Sequence, residues 1–164
     1  MKHIFLLSKE DLKLAKEEIL SLFNPKKSKI ISNLLVIDSD NIELANRLAY
    51  TRKIYQFLFE TNEKDLIKEI KKYDWQSVYK KNFCVRIHRL NDTPIGNRKE
   101  WVAVDTEKKL AGCIWQKLRN PKVSLENPKT LIQLFIIKNK AYCGLLIYAN
   151  NEDFESRKSH LRPF

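Results

Sequence analysis

Phe83-Cys84-Val85-Arg86-Ile87-His88-Arg89-Leu90 reads as a strand. Phe83, Val85 and Ile87 fall on one side of an extended chain, and Cys84, Arg86 and His88 on the other, because successive side chains of a strand point to opposite faces. A polar stretch from Asn91 to Lys99, with Pro94 and Gly96, reads as a loop. Beyond it Leu110, Ile114 and Leu118 recur at four-residue intervals, with Ala111 and Trp115 beside them. That spacing predicts a helix, capped by Asp105 or Thr106 and ending near Arg119, before Asn120-Pro121. Leu131 to Ile137 and Tyr142 to Tyr148 read as two apolar strands joined around Lys138-Asn139-Lys140, a hairpin with a basic tip.

Upstream, His3 to Leu7 reads as a short buried strand. Ser8 is placed to cap a helix running to Phe23, with Asp11 three residues on. Leu12, Ala15, Ile19, Leu22 and Phe23 form its apolar stripe, and Asn24-Pro25 stops it. Lys26 to Lys29 reads as a basic turn, Leu34 to Ile37 as a second strand, and residues 41–48 as a short helix capped by Asp38 or Asp40. Tyr50 to Glu60, rich in aromatic and β-branched residues, reads as a third strand. Thr61 or Asn62 is the expected cap of a further helix with Leu66, Ile67 and Ile70 inward. The order of elements over residues 1–60 predicts a small α+β unit of ferredoxin-like pattern, with helices on one face of the sheet.

Composition narrows the function classes. Lys and Arg number 31 and Asp and Glu 20, for a formal net charge of +11 over 164 residues. Such an excess attracts polyanions, because bound cations displace condensed counterions from phosphates; a lysine-rich solvated surface is the other reading. Cys84, Cys113 and Cys143 are far apart, form no C-x-x-C pair, and sit in apolar stretches, so they read as small buried hydrophobes in a reducing compartment. The start, Met1 to Ser8, is too short an apolar run for a signal peptide or membrane span. The three glycines, Gly96, Gly112 and Gly144, supply no glycine-rich phosphate turn. His3, His88 and His160 have no carboxylate or cysteine arrangement around them in sequence. The chain is therefore expected to hold no catalytic residues, no metal and no cofactor, and to be cytoplasmic.

The stretch from Tyr73 to Ala149 resembles a THUMP domain. The likeness is carried by the strand 83–90, the helix segment Leu110-Ala111-Gly112-Cys113-Ile114-Trp115, the run Pro121-Lys122-Val123-Ser124-Leu125-Glu126-Asn127-Pro128, and the closing strands Ile132-Gln133-Leu134-Phe135-Ile136 and Tyr142-Cys143-Gly144-Leu145-Leu146-Ile147. Phe154-Glu155-Ser156-Arg157-Lys158-Ser159-His160-Leu161-Arg162-Pro163-Phe164 is similar to the segment joining the THUMP domain to the catalytic domain in archaeal tRNA (guanine-10-N2)-methyltransferases. The resemblance implies a ferredoxin-like domain over residues 1–60, a THUMP domain over 61–150, and a basic tail or linker over 151–164. It implies binding to the acceptor stem and 3′ CCA end of tRNA, chiefly by shape and phosphate. Catalysis and S-adenosylmethionine would then belong to a separate methyltransferase-domain polypeptide, because the family's Asp/Asn-Pro-Pro-Tyr motif does not occur here. A THUMP adaptor for cytidine acetylation or thiolation, and a structural or ribosome-associated RNA-binding protein, are the alternatives.

The candidate RNA-binding residues are Arg86, His88, Arg89, Lys109, Lys117, Arg119, Lys122, Lys158 and Arg162, each otherwise readable as part of a solvated face. Leu161, Pro163 and Phe164 are the candidate partner-docking residues. Trp101 and Trp115 are candidates for base stacking, although the spacing of Trp115 with Ala111 favours a core position. Trp75 is expected to pack between the two domains, and Lys138 and Lys140 to serve solubility more than contact.

Overall fold

A computed structural model describes residues 1–40, 42–90 and 97–149. The chain divides into two compact units, Met1–Phe57 with the end of the last strand from Leu146, and Leu58–Leu145.

The first unit contains β1 (Lys2–Leu7), α1 (Leu12–Phe23), β2 (Ser28–Ile31), β3 (Leu34–Asp38) and most of β4 (Thr51–Asn62). Its strands lie in the order β2-β3-β1-β4, each pair antiparallel. β3 thus lies between β1 and β2, the split β-α-β arrangement of a ferredoxin-like fold. Phe5, Leu7, Leu35, Ile37 and Ile54 of the sheet pack with Ala15 and Ile19 of α1, and Leu12, Leu22 and Phe23 border that core. Glu18 ties α1 to the entry of β4, its carboxylate accepting from Ala49 N at 2.8 Å and Tyr50 N at 3.2 Å.

Two details depart from the sequence reading. Asp11, not Ser8, caps α1, accepting from Leu14 N at 3.0 Å; Ser8 Oγ instead accepts from Glu10 N at 3.4 Å. Ser28 and Lys29, read as the end of a basic turn, begin β2. The expected short helix over residues 41–48 is present as a 3₁₀ helix over Ile42–Arg47. Asp11→Ala is expected to cost about 1 kcal/mol, the usual loss for an N-cap. The urea midpoint followed by circular dichroism measures it, and Asp11→Asn should retain most of the stability.

The second unit contains the end of β4, α2 (Leu66–Lys72), β5 (Phe83–Arg89), α3 (Asn97–Trp115), β6 (Thr130–Ile137) and the start of β7 (Lys140–Ala149). β5 and β6 run parallel, as strands joined by a long helical crossover do, and β6 and β7 form the antiparallel hairpin. Lys138, at φ 53°, turns that hairpin in the left-handed region. Phe83 and Val85, Ile132, Leu134 and Ile136, Leu110 and Ile114, and Leu66 and Ile70 form one core. The fold class is α+β.

Thr61 and Asn62 do not cap α2. Both belong to β4, Asn62 makes no capping hydrogen bond, and a 3₁₀ turn over Glu63–Asp65 leads into the helix. Trp75 lies inside the second unit's core, 1% exposed, rather than between units. α3 begins at Asn97, so Asp105 and Thr106 are interior positions, and it ends at Trp115, which leaves Lys117 and Arg119 beyond its last turn. Trp115 is 46% exposed, against the core reading: Leu110 and Ile114 fill the inward stripe, and Trp115 stands about 100° round the helix from Ile114.

The outer edge of β5 is engaged at two points. Phe83 N donates to Lys122 O at 2.9 Å, and Ser124 N to Phe83 O at 3.1 Å. Ile87 N donates to Glu107 Oε1 of α3 at 2.8 Å. Cys84 and Cys143 are buried and Cys113 half-buried, all free thiols; burial pushes the thiols of Cys84 and Cys143 up.

Candidate nucleic-acid interface

The start of β5 gathers cations from two distant stretches of chain. Lys80 and Lys81 immediately precede the strand, and Lys117, Arg119, Lys122 and Lys129 follow α3. All six side chains are exposed. Among the described residues none of the six is in an ion pair. Asp74 and Glu126 are the acidic residues within residues 73–82 and 116–130.

The backbone under these cations is held by hydrogen bonds. Lys80 N donates to Thr130 Oγ1 at 2.8 Å, and the same hydroxyl donates to Lys80 O at 3.1 Å. Lys129 N donates to Asn82 Oδ1 at 2.6 Å, and Arg119 N to Gln76 Oε1 at 3.0 Å. Tyr79 joins both stretches: its hydroxyl donates to Lys81 O at 2.6 Å and accepts from Lys122 N at 3.0 Å. Asn120, at φ 48°, turns the chain between Arg119 and Lys122. The positive charge therefore rests on an ordered backbone, which lowers the cost of ordering when an anion binds.

The structure divides the candidate residues read from the sequence. Lys117, Arg119 and Lys122 belong to this cationic end. Arg86 reaches it through its guanidinium, which donates to Leu125 O at 3.3 Å, while its other nitrogen lies 3.8 Å from Glu107. Lys109 is exposed on α3, as is Lys108. His88 and Arg89 lie at the other end of β5, about 20 Å away at 3.3 Å per residue. Arg89 is in an ion pair with Glu63 at 2.8 Å, and the exposed His88 meets the Phe135 ring edge-on at 6.2 Å. Lys158, Arg162, Leu161, Pro163 and Phe164 lie outside the described residues, as does the side chain of Trp101.

Lys80, Lys81 and Lys129 were not legible as site residues. The Lys80-Lys81 pair directly before a strand was the available signal, but its proximity to Lys122 and Lys129 depends on bonds between residues 47 and 50 apart in sequence. Among the described residues no group of three or more His, Cys, Asp or Glu side chains is placed to hold a metal. No described helix is long and apolar enough to cross a membrane.

A family profile described as THUMP domain matches residues 60–146. The fold is similar to that of TrmN from Thermus thermophilus, with a TM-score of 0.69 at 14% identity over 92% of this chain and 46% of that one. A possible methylase from Clostridium difficile 630 gives 0.66 at 14% identity, over 88% and 40%. A 4-thiouridine synthetase solved as an RNA complex with bound ATP gives 0.58 at 15% identity, over 88% and 40%. The likeness at these identities is one of fold, and the chain spans about half or less of each of these structures.

Proposed function

The chain belongs to the THUMP domain family, and from that membership we propose that it is the tRNA-binding, noncatalytic part of a tRNA guanine N2-methyltransferase, of the archaeal position-10 type. It grips the acceptor stem and 3′ CCA end, and a separate polypeptide supplies S-adenosylmethionine and chemistry. The observation carrying this reading is the group of six exposed cations on a hydrogen-bonded backbone at the start of β5. Phosphates satisfy such a surface, and the affinity gained grows with each counterion released. His88, Arg89 and Lys109 are the further contacts of this proposal. Lys158 and Arg162 continue the cationic track, and Leu161, Pro163 and Phe164 dock on the catalytic polypeptide. The protein works in the cytoplasm, where tRNA is modified.

Reconstitution tests this. The chain and its candidate catalytic polypeptide are mixed with unmodified tRNA, and nucleosides are read by mass spectrometry. N2-methylguanosine should form only with both proteins present, and removal of the 3′ CCA should weaken binding by about tenfold, as for one or two lost base contacts. Full activity from the catalytic polypeptide alone would refute the assignment. The likeness to a thiouridine synthetase solved with RNA supports the second reading, a thiolation adaptor, for which 4-thiouridine would be the product.

A further inference from the structure

Trp115 ends α3 with 46% of its surface exposed. One side of its indole is held by Phe83, the ring centroids 6.5 Å apart at 48°. Val123, bridged through its backbone to Phe83, is 48% exposed, and Leu125, whose carbonyl accepts from Arg86, is 65% exposed. Three large apolar side chains thus stand in water along a stretch that also carries Lys117, Arg119 and Lys122.

Neither charge nor solubility accounts for them. A solvated lysine surface has no use for an indole, and a surface that only tracks duplex phosphates gains little from one, since duplex bases are already stacked on each other. Protein interfaces concentrate aromatic residues too, but they are depleted in lysine, and Lys117 and Lys122 flank these residues. Aromatic faces among cations are what single-stranded nucleic acid uses: phosphates meet the cations while unpaired bases stack. We propose that Trp115 is the stacking platform for an unpaired base at the cationic start of β5. This rests on the RNA-binding reading above and adds to it the residue that distinguishes the strand's paired state. The buried Phe83 ring neighbours the indole and limits the space in which it can reorient.

The test compares an unstructured adenine-rich RNA octamer with a blunt RNA duplex of equal length, using the full chain. Trp115→Ala should weaken the single strand by about tenfold and the duplex by less than about twofold, since base stacking belongs to unpaired nucleotides. Trp115→Phe should retain most of the affinity because the aromatic face persists. The octamer should quench tryptophan emission in the parent protein, and Trp115→Phe should remove that quenching while still binding. Unchanged octamer affinity in Trp115→Ala, or equal loss on both RNAs, overturns the platform and leaves RNA binding standing. Loss confined to capture of the catalytic polypeptide overturns it in favour of protein docking. Failure of the parent protein to bind either RNA or tRNA removes the RNA-binding reading, and this proposal with it.

Discussion

Replacing Lys80, Lys122 and Lys129 together by glutamine is expected to lower tRNA affinity on the order of a hundredfold at about 0.15 M salt. Each phosphate neutralised changes log affinity by about 0.7–0.9 per tenfold change in salt. Relative to 1 M, a concentration of 0.15 M is about 0.8 log unit lower, so each contact contributes about 0.6–0.7 log unit, and three contribute about 2. The slope of log affinity against log salt should fall by about 2–3 in the triple variant. All three side chains are exposed, and the hydrogen bonds of Lys80, Lys122 and Lys129 run through their backbones, so the melting temperature should stay close to that of the parent. A matched variant at the exposed Lys13, Lys53 and Lys68 removes the same charge elsewhere. Equal losses in the two triples, read by filter binding across a salt series, would mean diffuse attraction by net charge and no localised site.

Trp75→Ala is the most damaging single change expected for stability, at about 3–5 kcal/mol, the usual range for emptying a buried tryptophan site. Trp75 lies 4.7 Å from the Tyr73 ring and 6.3 Å from that of Phe59, centroid to centroid. Its Nε1 donates to Ile70 O at 2.6 Å. Ile70 sits in the last turn of α2, where carbonyls have no partner further along the helix, so the indole both fills the core and completes the helix end. Trp75→Phe should recover part of the packing and still lose about 1–3 kcal/mol for the carbonyl left unpaired. Urea unfolding measures both. A loss below about 1 kcal/mol for Trp75→Ala would show that neighbouring rings collapse into the space, contrary to this account. Trp115→Ala, by contrast, removes a side chain that is 46% exposed and should move the midpoint much less than Trp75→Ala.

Periodicity made much of this fold readable. The alternation in Phe83 to Leu90 and the four-residue spacing of Leu110, Ile114 and Leu118 report which faces are buried, and those faces are the ones that pack together. Other features had no local signature. β2 is four residues long, pairs only with β3 among the described residues, and leaves Ile30 42% exposed, so no buried face marks it. Ser8 and Asp11 are both good cap residues, so residue type alone does not choose between them. Trp115 has helical spacing with Ala111, yet a one-residue step from Ile114 is enough to turn it outward. The candidate site was half legible: Lys117, Arg119 and Lys122 stood out as basic residues along the end of a predicted helix and its exit, but Lys80, Lys81 and Lys129 join them only through the tertiary bonds of Thr130, Asn82 and Tyr79.

The carboxylate that Glu107 lays on Ile87 N, and the short backbone bridge at Phe83, interrupt the outer row of β5 donors and acceptors at its start and middle. An extended segment from a neighbouring molecule that tried to zip onto this rim would meet an anion and a Lys-bearing turn where it needs a continuous ladder. Runaway sheet growth, the standing hazard of any terminal strand, is thereby discouraged at the rim nearest the cationic surface.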